Sequence, residues 1–229
     1  MTRSLIILRP IEGARETAEK AKKMGLSTIV DPLFEIEPIA WEAPPASQFD
    51  ALMLTSANAV KYAGSALEKC RKLPVLAVGK ATARIARQSG LDVAEIGGGG
   101  AEELLRSLPS GRYRKILRLT GKDHVKTTIS GRELVLRRVY QARGMPLGEK
   151  ASAALRQGHV VLLYSVRAAK ILNQELDRLG IDRSVNDIAA LSPNIAEAAG
   201  DGWKTVQAAK RPTDDALLSL AGRLCLRSG

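Results

Sequence analysis

The chain is poor in the residues that usually announce chemistry. Among 229 residues there are two cysteines, Cys70 and Cys225, and two histidines, His124 and His159. Two thiols cannot build a disulfide framework or a cysteine-rich metal cluster, and their scarcity suits a reducing cytosol. Both cysteines lie among apolar residues at helical spacing, which predicts buried small hydrophobes. His159 precedes a strand signal and reads as a surface residue, while His124 lies in a basic loop. Neither has a metal-ligand partner at a useful spacing. Aromatic residues make up 3% of the chain, so its core must come from Leu, Ile, Val and Ala. The aromatic interleaving that stacks nucleobases is missing too. No apolar run approaches the ~20 residues of a membrane span. The opening "MTRSLIILRPIEG" lacks an apolar region followed by a small-residue cleavage site, so it reads as a first strand rather than a signal peptide. Neither G-x-S-x-G nor the P-loop pattern occurs. "GGGG" (97–100) lacks dinucleotide-binding spacing; it reads as a strand-to-helix turn or as a close backbone approach to an anion.

What is abundant is positive charge. Lys and Arg number 35 against 24 Asp and Glu, a formal net charge of +11. That excess favours an anionic partner: nucleic acid, a membrane surface or a polycarboxylate. The densest basic stretch is "SGRYRKILRLTGKDHVK" (110–126), part of which must be an ordinary solvated face. The hydrophobic fraction is 45% and the charged fraction 26%, values of a globular chain with a sizeable core.

Strand and helix signals alternate along the whole length. "LIILRP" (5–10) is an apolar run ended by Pro, and "EGARETAEKAKKMG" (12–25) has helical spacing with Gly25 as a stop. "STIVDPLFEIEP" (27–38) is extended, and "WEAPPASQFD" (41–50) is a Pro-rich loop. The order predicts α/β layering with parallel sheets. Segments about 110 residues apart resemble one another, the signature of a duplication. "LMLTSANAV" (52–60) aligns with "VLLYSVRAA" (161–169), and "VLAVGKATARIA" (75–86) with "IAALSPNIAEAA" (188–199). "AEELLRSL" (101–108) aligns with "DDALLSLA" (214–221), and "IILRP" (6–10) with "KILRL" (115–119).

Open α/β sheets bind ligands beyond the carboxyl ends of their strands. Those ends here carry Arg9-Pro10, Thr55-Ser56, Val78-Gly79-Lys80, Gly97-Gly98-Gly99-Gly100, Leu119-Thr120-Gly121, Tyr164-Ser165 and Leu191-Ser192. Hydroxyls, glycines and cations concentrate there, and such a rim suits carboxylates. Blander roles compete at each place. Ser56 and Asn58 can cap the helix that starts near residue 57, Thr82 can bond its own first turn, and Tyr140 alone is a cross-strand aromatic.

Taken together, "ILRPIEGARETAEKAKKMG", "DPLFEIEPI", "LTSANAV", "AVGKATARIARQSG", "VYQARGMP", "LLYSVRAAKIL" and "KRPTDDALLSLA" resemble the uroporphyrinogen-III synthase family. Each motif is weak alone; their order over nearly the whole chain makes the match specific. The resemblance implies two flavodoxin-like α/β lobes with parallel sheets, related by duplication and joined by a two-stranded linker. It makes residues 1–35 plus 147–229 one lobe, 42–139 the other, and 36–41 and 140–146 the linkers. It implies a cytoplasmic, monomeric lyase of porphyrin biosynthesis with no metal or organic cofactor. Its substrate would be the linear tetrapyrrole hydroxymethylbilane, closed to uroporphyrinogen III with inversion of ring D and loss of water. Hand-over from hydroxymethylbilane synthase is the implied partnership, with neither nucleic acid nor membrane involved. A substrate with eight carboxylates suits the cationic excess. Positioning can supply ~7–11 kcal/mol of such a reaction's barrier.

Carried over by position, Tyr140 matches the family's linker tyrosine and would hydrogen-bond the departing hydroxyl or bound substrate. Thr55, Ser56 and Asn58 match the first strand-tip motif, Thr82 the "G-x-x-T-A" helix start, and Ser165 the second strand-tip serine. Arg9 and Lys80 are expected carboxylate partners, on charge as much as on resemblance. The second helix start departs from the pattern: Ser192 replaces glycine and Ile195 replaces threonine. Isoleucine cannot donate a hydrogen bond, so that contact is either lost or supplied by Asn194. Two other readings stand beside the cyclase: a non-catalytic binding module for an anionic tetrapyrrole or acidic metabolite, and nucleic-acid binding through 110–126, which lacks any recognised signature.

Overall fold

The computed structural model describes residues 3–109, 111–127 and 129–226. Met1 and Thr2 at the start of the opening strand signal, Ser110 of the basic stretch and residues 227–229 of the expected first lobe lie outside the described residues. The chain divides into two compact units, Met1–Glu35 with Gly144–Gly229, and Ile36–Arg143.

The first unit is built on five strands: β1 (Leu5–Ile7), β2 (Thr28–Val30), β9 (Val160–Leu163), β10 (Asp187–Ala190) and β11 (Thr205–Ala208). They lie side by side in the order β11-β10-β9-β1-β2, and the pairings between them are parallel. A parallel strand covered on both faces reads as a continuous apolar run, and "VVLL" of β9 is buried at all four positions. Its side chains alternate. Val161 and Leu163 join one cluster with α6 (Val166–Leu179) and α7 (Pro193–Ala199). Val160 and Leu162 join another with α1 (Ile11–Lys23) and α8 (Asp214–Leu226). Ala14 and Ala21 give α1 a face with little bulk, which lets it lie close on the sheet.

The second unit has β3 (Phe34–Pro38), β4 (Ala51–Leu54), β5 (Val75–Val78), β6 (Val93–Gly97), β7 (Lys115–Gly121) and β8 (Glu133–Gly144), in the order β3-β8-β7-β4-β5-β6. Strands β4 to β8 pair in parallel. In β4, Leu52 and Leu54 pack with α2 (Ala57–Lys61) and α3 (Lys80–Gln88), while Met53 packs on the face of α4 (Ala101–Ser107).

The two sheets have one arrangement entered at different strands: β11-β10-β9-β1-β2 corresponds to β6-β5-β4-β7-β8. The self-similarity of "LMLTS" with "VLLYS" therefore marks equivalent central strands, and Ser56 and Ser165 cap equivalent helices. Ser56 accepts from the Asn58 amide at 3.0 Å and Ser165 from the Ala168 amide at 3.1 Å. One expected alignment is corrected. "IILRP" and "KILRL" are similar, but the sheet register sets Ile6 opposite Val161 and Leu117 opposite Leu52. Ile7 thus corresponds to Arg118, not to Ile116. The slip is two residues, which leaves every side chain on its proper face, so the apolar pattern could not expose it.

His159 is also corrected. It is half-buried rather than on the surface, its Nδ1 accepts from the Ser4 amide at 2.8 Å, and burial lowers its pKa. Next to it, Arg3 threads the first unit: its guanidinium donates to the His159 and Gly158 carbonyls and pairs with Asp187. Both side chains are almost wholly buried, 8% and 4% exposed. Removing one partner of a buried pair strands the other. Asp187→Ala is therefore expected to lower stability by about 3–5 kcal/mol, read as a fall in the urea unfolding midpoint.

Candidate functional site

The carboxyl ends of the strands in the second unit surround a cavity of about 480 Å³. Thr55 and Ser56 enter it from the end of β4, Val78 from β5, Arg118 and Thr120 from β7, and Tyr140 from β8. These six residues come from four strands of one sheet, so the rigid ladder fixes their spacing. His124, in the loop after β7, lines the cavity as well; its Nδ1 lies 3.1 Å from the Gly121 carbonyl.

Tyr140 is held by its backbone and by its neighbours. The β7–β8 register shifts at Thr120/Gly121, so Gly121 faces Tyr140, and the Lys122 amide donates to the Tyr140 carbonyl at 2.9 Å. The phenol ring lies against the bare Cα of Gly121. A methyl group there would sit 2.7 Å from Cε2 and 3.0 Å from the hydroxyl of Tyr140. The Tyr62 ring flanks it at 6.4 Å, tilted by 40°.

Of the residues expected from sequence, the structure gathers Thr55, Ser56 and Tyr140 on this one cavity. Asn58, Lys80 and Thr82 belong to the same unit but do not line it. Lys80 is exposed at the first position of α3, and Thr82, two residues on in the same turn, is buried. Ser56 meanwhile performs the capping role that competed for it.

Arg9, Ser165 and Asn194 belong to the first unit. Arg9 is not a free cation. Its guanidinium stacks 4.1 Å from the centre of the Tyr164 ring, donates to Thr17 Oγ1 at 3.3 Å and lies 3.8 Å from Asp214. Tyr164 in turn donates to Asp214, and so does Thr17, at 3.1 Å. Burial, then the neighbouring Asp214, pushes the Tyr164 phenol well above its ordinary pKa. Burial works to raise the pKa of Asp214 as well, but hydrogen bonds from Tyr164, Lys20 and Thr17 outweigh it and hold the carboxyl below its usual range. The Arg9 and Tyr164 strand tips of the first unit are thus satisfied by Thr17 and Asp214. Ser165 caps α6, and exposed Asn194 accepts from the Ser192 hydroxyl. Ile195, where the family pattern has threonine, is buried in the core, so packing has replaced any contact from that position.

Sequence reasoning placed Thr120 on the strand-tip rim but missed Arg118 as a cavity residue. The available signal was a lone arginine inside the apolar run "KILRLTG", masked by the basic residues around it. Among the described residues no group of three or more His, Cys, Asp or Glu could hold a metal ion.

A family model described as uroporphyrinogen-III synthase HemD matches residues 15–219. The chain belongs to the uroporphyrinogen-III synthase family. Its relatives are distant. The uroporphyrinogen-III synthase of Chlorobaculum parvum is 29% identical over 100 residues, a match spanning 40% of this chain and 41% of that protein. The solved uroporphyrinogen-III synthetase of Helicobacter pylori aligns over 97% of this chain and 99% of its own, at 19% identity and a TM-score of 0.65. A mutant uroporphyrinogen III synthase from Thermus thermophilus aligns over 99% of this chain and 100% of its own, at 16% identity and a TM-score of 0.53. These likenesses extend the shared fold across the full length of the chain.

The close approach at Gly121 makes a sharp test of how Tyr140 is placed. Gly121→Ala is expected to displace the phenol ring, changing the near-ultraviolet circular dichroism, and to cost about 1–3 kcal/mol by overpacking. Urea unfolding of the same variant measures the second effect.

Proposed function

We propose that this chain closes hydroxymethylbilane to uroporphyrinogen III, inverting ring D and releasing water. The observation that carries the reading is the family match over residues 15–219. The cavity at the strand tips, with Tyr140 on its wall, supplies groups that suit the chemistry. Departure of the terminal hydroxyl is driven by the electron-rich pyrrole and leaves an azafulvenium-like cation. Ring D is then attacked at its substituted carbon, giving a spiro intermediate that fragments and recloses in the inverted sense. The pyrrole proton lost on reclosure balances the hydroxide, so the net by-product is water.

The protein's share is small in bond-making and large in placement. The Tyr140 hydroxyl donates a hydrogen bond to the leaving hydroxyl. Thr55 and the backbone of the strand tips offer donors to substrate carboxylates, and Lys80, exposed at the start of α3, offers a cation to another. Asn58, Thr82, Ser165 and Asn194 stand as further substrate contacts, with the capping serines presenting hydroxyl protons while their oxygens accept from the helix. Arg9 acts through the cluster it anchors with Asp214. In this reading the protein works as a cytoplasmic monomer, takes its substrate from hydroxymethylbilane synthase and uses no cofactor.

Purified protein coupled to hydroxymethylbilane synthase is expected to yield the type III isomer, measured by chromatography of the oxidised porphyrins. A folded protein that leaves only the spontaneous type I isomer would sink the cyclase and favour a binding module. Tyr140→Phe is expected to lower kcat about ten- to a hundredfold with unchanged far-ultraviolet circular dichroism. Undiminished turnover would remove Tyr140 from the chemistry.

A further inference from the structure

Arg118 is the least expected side chain in the second unit. It lies in the middle of β7, opposite Met53 of β4, and is only 3% exposed. The equivalent position in the sibling sheet is Ile7, wholly buried and apolar. A hydrocarbon side chain therefore fits this strand position, yet here it holds a guanidinium.

That guanidinium is poorly satisfied. Nη2 donates to the Val125 carbonyl at a long 3.2 Å, while Nε and Nη1 are buried and find no partner among the described residues. Burial lowers the pKa of Arg118, with no charged neighbour counteracting it. Leaving a buried charge without a counter-ion is costly, and the strand could have avoided the cost with an isoleucine. A fixed cation in a site of low dielectric holds an anion more strongly than the same cation in water. The planar guanidinium matches a carboxylate in shape and donor direction.

Arg118 also lines the cavity that Thr55, Ser56 and Tyr140 share. The two acidic residues on that wall do not neutralise it. Glu102 pairs with Arg106, one turn along α4, and the hydrogen bond of Arg118 goes to the Val125 carbonyl, while its Nε and Nη1 meet neither carboxylate. Val125 is 80% exposed, so the segment whose carbonyl covers the arginine can yield without loss of core packing.

We propose that Arg118 is the anion-binding residue of this cavity and takes one carboxylate of a polycarboxylated tetrapyrrole, which replaces the Val125 carbonyl on the guanidinium. This deepens the cyclase reading and rests on it for the ligand class. The arginine is retained for binding against its own effect on stability.

Fluorescence titration with uroporphyrin III, which carries eight carboxylates, tests the assignment, with its octamethyl ester as the uncharged control. Arg118→Met is expected to weaken uroporphyrin III binding at least tenfold, to flatten its salt dependence, and to unfold at the same or a higher urea concentration than the parent. Arg118→Lys, which keeps the charge but loses the planar donor set, is expected to fall between the two. A Met variant that binds like the parent overturns the proposal, whether or not it is destabilised. The coupled isomer assay separates this failure from that of the cyclase reading. If the parent makes type III while Arg118→Met binds and turns over normally, the anion subsite falls and the cyclase stands. If the parent makes only type I while Arg118→Met still binds weakly, the cyclase falls and the subsite stands.

Discussion

The structure depends on a pairing between strands that the chain encodes far apart. Leu5, Ile6 and Ile7 of β1 lie against Val160, Val161 and Leu162 of β9, and this ladder closes the first unit from the two ends of the sequence. Its main-chain hydrogen bonds are buried on both sides, where an unpaired amide or carbonyl is costly. Arg3 reinforces the join by binding the Gly158 and His159 carbonyls, 155 and 156 residues away, and the Asp187 carboxylate, 184 residues away. The second unit folds within that interruption as one continuous segment, Ile36–Arg143. Permuted entry into one shared sheet order follows from this constraint.

The two units solve the same problem at their strand tips in opposite ways. In the first, Arg9, Thr17, Tyr164 and Asp214 satisfy one another in a compact cluster. Within that cluster the charge of Arg9 is met by Asp214. In the second, hydroxyls of Thr55, Ser56 and Thr120 surround a cavity in which Arg118 keeps unsatisfied donors. A duplicated scaffold thus holds one tip cluster that is internally balanced and one that is electrostatically incomplete. Incompleteness is what a binding site for an anion requires, because the ligand then supplies what the fold withholds.

Much of the architecture was readable from residue order. Apolar runs such as "ALML" and "VVLL" can be buried on both faces only in a parallel sheet covered by helices, and both are. Ser56 reads as a helix cap and is one, and Ser165 caps the equivalent helix. The candidate site was only partly legible. Thr55 and Ser56 are legible as strand-tip hydroxyls, which are local features, whereas Tyr140 is implied only by the family resemblance. Arg9 reads in sequence as a partner for a substrate carboxylate, but the carboxylate it meets is Asp214, which arrives from the far end of the chain. Arg118 was overlooked because a two-residue slip in aligning β1 with β7 preserves the alternation of faces while matching the wrong arginines.

By itself, then, the sequence determined the element types, the parallel layering and the duplication, since these follow from local periodicity and from composition. Tertiary structure alone decided which charges stay unbalanced. An arginine's state depends on whether a carboxylate arrives beside it, and that is set by strand register and by contacts between residues remote in sequence, not by neighbours along the chain. Arg9 and Arg118 look alike in their strings, "ILRP" and "ILRL". Register places one beside Asp214 and buries the other opposite Met53 with no counter-ion among the described residues.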